Sequence, residues 1–299
     1  MKVEEEKVRL PVIGWVNMAE PVRFEGNIKS ATVSKEADQW HVALAIETKW
    51  RWLVWVLVAG ALLELFFVAR IAAMLVVDPQ STTFERSEAW RVATEKGSLR
   101  WRQQWTPYAH ISDKLKRAVI ASEDDGFANH DGVDWNALEK AWQHNTKAQA
   151  RAAKAQARVV ASRSAPKNQV LPPAKVPRMV GGSTITQQLA KNLFLSGERT
   201  FLRKGQEFIL TLLLEAILDK PRILEIYLNS AEWGEGVFGA EAAARHYFRK
   251  PSAQLSSDEA ARLAVMLPRP KYFEKLPHSS YVAGRAGTIV RRMESAELP

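Results

Sequence analysis

One apolar run constrains this chain more than any other feature of its sequence. Residues 52–69, WLVWVLVAGALLELFFVA, contain Glu64 as their only charged side chain. At about 1.5 Å per residue they would form a helix of roughly 27 Å, close to the hydrocarbon thickness of a bilayer. Tryptophans cluster where the run begins, and amphipathic rings favour the headgroup zone. We therefore predict one transmembrane helix at about 51–77; a buried core helix is the alternative.

The position of this run divides the rest of the chain. It lies too far from the N-terminus, and is too long, for a cleaved signal peptide, so we predict an uncleaved anchor. Residues 1–50 then form a tail with short strands, and 78–107, polar and rich in tryptophan, form a linker. Cations flank the run on both sides in nearly equal number and indicate its orientation only weakly.

The remaining chain is predicted to be mainly α. Apolar residues recur with helical period and no strand pattern is sustained after residue 78. The predicted helices are 115–122, 133–142, 184–194, 201–218, 222–228, 240–247 and 257–267.

The net charge of +9 comes from one segment. Residues 140–178 carry nine cations and no acidic residue, and the remaining 33 cations balance the 33 acidic residues. The first part, 140–163, favours a helix on which Lys147, Arg151, Lys154 and Arg158 form one stripe. Prolines then favour extended structure, so we expect a mobile, basic insertion.

Three polar blocks carry the candidate chemistry, and the first is EDDGFANHDGVD at 123–134. Glu123 lies where an apolar helix meets a glycine-bearing turn, and Phe127 can pack against the acidic group. A carboxylate in that position can be partly desolvated and act as a general base. The alternative is a set of solvated turn residues.

The second block, GGSTITQQLAKN at 181–192, combines small hydroxyl residues, amides and a lysine at a helix start. Free backbone N–H groups and the helix dipole favour an anion there. Gln187 and Lys191 are four residues apart and share a face. An ordinary capped helix is the alternative.

The third block, RTFLRKGQE at 199–207, places Arg203 and Lys204 within one turn of Glu207. It indicates either a second carboxylate held by cations beside the anion site, or surface ion pairs. The S-x-x-K pattern at 164–167 lies in the proline-rich segment without a following K-T-G, so we interpret it as coincidence.

Taken in order, these blocks resemble those of the peptidoglycan glycosyltransferases, in the form called monofunctional biosynthetic transglycosylases. The family's E-D-x-x-F-x-x-H-x-G-x-D, G-G-S-T-I-T-Q-Q with K-N, and R-K-x-x-E patterns all occur. Residues 222–229 and 255–264 resemble two further blocks. The resemblance covers roughly 100–275, and its departure from the family is the longer, more basic spacer between the first two blocks.

The resemblance implies a mainly α, lysozyme-like glycosyltransferase domain at 108–299, with a membrane-facing subdomain. It implies polymerisation of lipid II on the outer face of the cytoplasmic (inner) membrane. The tail would then be cytoplasmic and the catalytic domain periplasmic. Because the sequence ends soon after the fifth block, we expect no transpeptidase domain or activity.

The resemblance also implies roles for single residues. Glu123 would deprotonate the 4-hydroxyl of the acceptor, whose oxygen displaces undecaprenyl diphosphate from the donor anomeric carbon with inversion. Glu207 would be the second catalytic carboxylate. A diphosphate leaves without protonation, so the site needs cations rather than an acid. The implied substrate-binding residues are Asp124, Phe127, His130, Ser183, Thr184, Gln187, Gln188, Lys191, Asn192, Arg199, Arg203 and Lys204.

Cofactor and partner expectations follow from the same resemblance. The sequence requires no cofactor and has no metal site built only from protein ligands, whereas Mg²⁺ or Mn²⁺ at the diphosphate is compatible with it. Expected partners are lipid II, the growing glycan strand, membrane lipids and other cell-wall synthesis proteins, but not nucleic acid. The basic insertion either contacts anionic headgroups or lipid diphosphates, or is solvated and without a role.

Two other functions stay open at this point. A lytic, lysozyme-like glycan cleaver would also use a catalytic glutamate, but would not need a lipid anchor beside a cationic phosphate site. A membrane-anchored binding or scaffold protein would use the basic segment on nucleic acid or partners.

Overall fold

The computed structural model describes residues 7–10, 14–17, 28–36, 39–46, 51–97, 101–162, 181–195 and 200–299. The chain divides into two compact units, Met1–Phe66 and Phe67–Pro299. In the first unit, the predicted tail contains two antiparallel hairpins, formed by the strands β1 (Lys7–Leu10), β2 (Gly14–Asn17), β3 (Ile28–Glu36) and β4 (Gln39–Ile46). The sequence predicted short strands here, and their cytoplasmic location stays a prediction.

The apolar run forms a helix, α1 (Arg51–Ala73). Within it, Trp52–Ala73 is long and apolar enough to cross a membrane, with a mean hydropathy of 2.3. The helix ends four residues before the predicted 77, and residues 74–76 form a turn. Length and composition are thus consistent with a membrane anchor.

The second unit is mainly helical. Its helices are α2 (Thr83–Lys96), α3 (Asp113–Glu123), α4 (Trp135–Ser162), α5 (Ile185–Phe194), α6 (Phe201–Ile217), α7 (Lys220–Ser230), α8 (Ala240–Phe248), α9 (Ser257–Met266), α10 (Pro270–Phe273) and α11 (Ser280–Met293). Three short strands, β5 (Arg102–Gln103), β6 (Glu232–Gly234) and β7 (Val237–Phe238), form a sheet in the order β5-β7-β6. Every predicted helix is present, and six of the seven have both ends within two residues of the prediction. The helix predicted at 133–142 instead runs from Trp135 to Ser162.

The core of this unit is built around α9, which packs against both α3 and α11. Ala260 and Ala264, one turn apart on α9, are completely buried and let its neighbours approach closely. On α3, Leu115 and Val119 bury the complementary face. A second layer pairs α5 with α6 and with α7. Because α3 ends in the first block and α5 begins in the second, this packing brings the two blocks together.

The prediction of a linker at 78–107 is wrong for much of this segment. Residues 83–96 form α2, whose N-terminus has a reciprocal capping box between Thr82 and Glu85. The hydroxyl of Thr83 donates to the carbonyl of Leu193 on α5 (2.9 Å), and Val92 is buried. The sequence pattern did not predict this helix because most of its residues are polar. Its buried acidic residue, Glu85, is of a type that rarely takes a core position.

The basic spacer begins as a continuation of α4. This helix runs without a break to Ser162, so the described part of the predicted mobile insertion is regular helix. Lys140, Lys147, Arg151 and Lys154 are all exposed on it. The remaining cations of the segment, including Arg163, lie outside the residues whose side chains the structure describes.

Candidate active site

A cleft of about 460 Å³ opens where α2, α5 and α6 meet. Eight of the residues predicted to form the site line it: Ser183, Gln187, Gln188, Lys191, Asn192, Arg203, Lys204 and Glu207. The second and third sequence blocks therefore form two walls of one cleft. The third wall is α2, which the sequence did not predict.

Glu123, the last residue of α3, lies one hydrogen bond behind this lining. Its Oε2 accepts a bond of 3.0 Å from the side-chain amide of Gln188. Burial raises the pKa of the Glu123 carboxyl, and the charge of Asp124 acts in the same direction. Hydrogen bonds from Gln188 and Ser122 and the charge of Lys191 oppose this rise. The site thus contains a partly desolvated carboxylate with a raised proton affinity, as general-base chemistry requires.

The orientation of Gln188 is fixed from behind by Tyr227 on α7. The buried Tyr227 hydroxyl donates to Oε1 of Gln188 (3.0 Å), so the amide must turn its NH₂ group to Glu123. Burial raises the pKa of the Tyr227 hydroxyl well above its usual value, which keeps it a donor. Tyr227 was not among the predicted site residues, because the sequence pattern predicts a core position for an aromatic residue on an apolar helix.

The N-terminus of α5 binds a carboxylate of the protein itself, that of Asp124. The backbone N–H of Ile185 donates to Oδ2 of Asp124 (2.9 Å), and Thr184 caps the helix in a capping box with Gln187. The other oxygen of Asp124 lies 2.9 Å from Nε2 of His130. The helix start is therefore used to bind the first block to the second, and the cations rather than these N–H groups are left to face a ligand.

Asp124, Phe127, His130 and Thr184 lie behind the cleft rather than on its wall. Thr184 donates to the carbonyl of Gly132 (2.6 Å). Gly132 has a φ of 84°, and a Cβ there would lie 2.7 Å from Thr211 Cγ2, so only glycine fits. These residues hold the turn that carries Glu123; their predicted role in direct substrate binding stays a prediction.

A further, partly buried ion pair supports the same turn. Lys220 donates to the carbonyl of His130 (2.6 Å) and to Glu215 (2.9 Å), and its ammonium lies 4.6 Å from the centre of the Phe127 ring. Glu215 also accepts from the hydroxyl of Thr186 (2.5 Å). Helices α5, α6 and α7 thus all contact the first block and support the turn that follows Glu123.

Three cations of α5 and α6, Lys191, Arg203 and Lys204, line the cleft. Lys191 is exposed to the cleft, but neighbouring protein still lowers the pKa of its ammonium by desolvation, and the charges of Arg203 and Lys204 add to this. The carboxylates of Glu207 and Glu123 both oppose the shift, so Lys191 lies within electrostatic range of both. This position suits a cation that bridges the two halves of the site.

Glu207 is buried and bound by two cations of its own helix. Arg203 contacts its Oε2 at 3.2 Å and Lys204 its Oε1. The sequence left surface ion pairs open as an alternative; the pairs exist, but they line the cleft. Both oxygens of Glu207 are occupied, so it fixes the two cations rather than being free to bind a metal. Arg199 lies outside the described residues.

The described residues form no group of three acidic or histidine side chains that could hold a metal ion. Both oxygens of Glu207 contact cations, and one oxygen of Glu123 accepts a hydrogen bond from Gln188. A divalent cation would have to be held mainly by the diphosphate of the substrate. Its requirement stays a prediction, and no step below depends on it.

Comparisons with known proteins show the family of this chain. The sequence matches the family model described as Transglycosylase over residues 91–155 and 168–294. It is 50% identical over 253 residues to the biosynthetic peptidoglycan transglycosylase of Burkholderia thailandensis. These aligned residues cover 83% of this chain and 88% of that protein.

The proteins of the same name from Burkholderia orbicola and Burkholderia pseudomallei are each 49% identical over the same length, covering 92% and 88% of those proteins. The resemblance read from the sequence blocks is thus confirmed, and so is the mainly α, lysozyme-like fold class. The chain belongs to the transglycosylase family and is a glycosyltransferase of peptidoglycan biosynthesis.

Proposed function

We propose that this enzyme polymerises lipid II into glycan strands and releases undecaprenyl diphosphate. One observation carries the proposal: a partly desolvated carboxylate, Glu123, lies behind the lining of the cleft and within electrostatic range of Lys191, and the cleft also presents Arg203 and Lys204. A base beside a group of cations suits a sugar acceptor and a diphosphate leaving group.

The reaction needs one proton transfer. Glu123 accepts the proton of the acceptor 4-hydroxyl as that oxygen forms its bond to the donor anomeric carbon. The bond from this carbon to the diphosphate oxygen breaks on the opposite face, which inverts the configuration. The electron pair leaves with undecaprenyl diphosphate, whose added charge is stabilised by Lys191, Arg203 and Lys204. Glu207 keeps the last two cations in position.

The alternative of a lytic glycan cleaver is disfavoured by the same cations. A glycosidase protonates its leaving oxygen with a carboxylic acid and needs no cations for it, whereas Lys191, Arg203 and Lys204 line this cleft. The decisive experiment incubates the purified full-length chain with lipid II and, separately, with sacculi. Glycan polymer and free undecaprenyl diphosphate support the proposal; soluble fragments from sacculi without polymer would contradict it.

The hydrogen bonds behind Glu123 give a first prediction. In Tyr227→Phe the Gln188 amide loses the donor that orients it, so its bond to Glu123 weakens. We expect kcat to fall about tenfold, the effect of one net hydrogen bond, with KM nearly unchanged. Since the Gln188 bond lowers the pKa of Glu123, the acid limb of the pH–rate profile should move to higher pH.

Tyr247→Phe is the matched control for this experiment. Tyr247 also donates a hydrogen bond, to the carbonyl of Trp233 (2.8 Å), but it does not line the cleft. Its loss should leave the pH profile unchanged. A parallel loss of kcat in both variants, without any movement of the acid limb in Tyr227→Phe, would show that the tyrosine is merely structural.

We also propose that the domain contacts the membrane surface through α4 and α6. Phe201 and Leu202 are 99% and 88% exposed, and Trp142 is 69% exposed. Such apolar surface suits a lipid interface. The exposed cations of α4 would add attraction to anionic headgroups, about 1 kcal/mol for each cation near the surface. A solvated helix without a role is the competing interpretation.

The chain contains no cysteine, so a single label can test this membrane contact. Ala155→Cys, on the exposed part of α4, would carry a fluorophore in protein reconstituted into phospholipid vesicles. We expect headgroup-bound quenchers to act more strongly when the vesicles contain anionic lipid. Replacing Lys147, Arg151 and Lys154 by Gln should remove that difference, whereas Lys275, Arg285 and Arg291→Gln should not. Equal quenching in neutral and anionic vesicles would exclude the headgroup contact.

A further inference from the structure

The third wall of the cleft, helix α2, is firmly attached to the rest of the domain. Its Thr83 hydroxyl binds the end of α5, and Glu85 is buried and accepts from the side chain of Gln103 (3.1 Å). Near its other end, Arg91 contacts Glu235 (3.1 Å). Since α2 is anchored at both ends, the side chains that it presents to the cleft have fixed positions.

Three side chains of α2 line the cleft: Phe84, Ser87 and Glu88. Their spacing of three and four residues places them on one helix face. Phe84 is partly exposed, and its ring lies edge-on to Phe238, 6.3 Å between centroids. The described hydrogen bonds of the Glu88 carboxylate, from Arg91 (2.9 Å) and Lys271, all use Oε2. Its Oε1 accepts none of the described hydrogen bonds, so this lining residue keeps an acceptor for a ligand.

The two sides of the cleft thus differ in charge and in chemistry. The α5 and α6 side presents Lys191, Arg203 and Lys204, whereas the α2 side presents an aromatic ring, a hydroxyl and a carboxylate. A carboxylate repels a diphosphate but accepts strong hydrogen bonds from neutral O–H and N–H donors. An aromatic face covers the apolar side of a ring of matching size. A sugar with hydroxyl and acetamido groups has both features.

We propose that Phe84, Ser87 and Glu88 form a saccharide-binding wall, which takes the sugar ring next to the diphosphate of the lipid-linked substrate. This inference rests on the proposed function and adds to it a substrate contact from a segment that precedes the matched family region, which begins at residue 91. The unequal walls then orient the substrate: the diphosphate lies on α5 and α6, and the neutral sugar lies on α2.

The test separates binding of the sugar from binding of the diphosphate. Glu88→Gln and Ser87→Ala are made in the full-length enzyme, and KM for lipid II is measured beside inhibition by undecaprenyl diphosphate, which carries no sugar. We expect KM to rise about tenfold in Glu88→Gln, the loss of one charge-assisted hydrogen bond, and less in Ser87→Ala. The inhibition constant of undecaprenyl diphosphate should not rise in either variant.

Glu95→Gln is the matched control, because Glu95 is also paired with Arg91 on α2 but does not line the cleft. It should leave KM unchanged. Ser87 is exposed, and its one hydrogen bond among the described residues is to the carbonyl of Phe84 in its own helix, so its variant should fold. An unchanged KM in both cleft variants, or an inhibition constant that rises in parallel with KM, would overturn the sugar-binding wall alone. A wild-type enzyme that does not use lipid II would overturn the proposed function as well.

Discussion

Glu123→Gln is expected to lower the rate of lipid II polymerisation roughly a thousandfold, the usual contribution of a general base. The amide keeps the size of the side chain but cannot accept the proton of the acceptor hydroxyl. In the wild-type enzyme burial raises the pKa of Glu123, and only the ionised carboxylate can act. The rate should therefore fall as the pH falls through this raised pKa, which is a higher pH than for an ordinary glutamate. Initial rates of polymer formation between acid and neutral pH measure both effects.

The neighbouring Asp125 supplies the matched control. It is exposed and pairs with Arg292 at 3.2 Å, away from the cleft. Asp125→Asn removes one negative charge from the same turn and should retain nearly full activity. Thermal unfolding of both variants shows whether they fold. A folded Glu123→Gln enzyme with wild-type activity would remove this residue from the mechanism and leave the base unassigned.

The second large effect is expected for Lys191→Met. The substitution keeps the apolar stem and removes the cation that lies within range of both carboxylates. Removal of one preorganised group that stabilises developing charge lowers kcat by about a hundredfold to a thousandfold. Since Lys191 lowers the pKa of Glu123, the acid limb of the remaining activity should move to higher pH. The measurements are kcat, inhibition by undecaprenyl diphosphate and the pH–rate profile.

Two further variants make this experiment specific. Lys191→Arg keeps the charge and should retain more activity than Lys191→Met, although the planar guanidinium changes the geometry. Lys275→Met removes an exposed cation that does not line the cleft and should have no effect. If Lys191→Met and Lys275→Met behaved alike, the diphosphate would have to be held by Arg203 and Lys204 without Lys191.

The sequence was sufficient to predict those elements whose structure depends on a local property of the segment. The helices that form the core were predicted because a repeat of 3.6 residues is a property of each segment by itself. The anchor helix follows in the same way from the length and apolarity of one run. The ordered blocks were sufficient to identify the family and to predict eight of the residues that line the cleft.

The prediction failed where polar residues take core positions. Helix α2 was predicted to be a linker because its buried face includes Glu85, whose carboxylate is satisfied by Thr82 and Gln103. The T-x-x-E pattern of its capping box was a local signal for a helix start. It indicated where a helix begins, but not that Phe84, Ser87 and Glu88 would face the catalytic cleft.

The sequence by itself determined the long apolar helix, most of the other helices, the family and the identity of the chemical groups. Only the tertiary structure decided which of those groups face a substrate. Asp124 meets the N-terminus of α5 across 61 residues of chain, and Tyr227 orients Gln188 from another helix. A periodic pattern shows which side of a helix is buried, whereas hydrogen bonds between distant elements depend on how the helices pack together. Which carboxylate is left to act as a base, and which only positions its neighbours, is therefore a property of the packed fold.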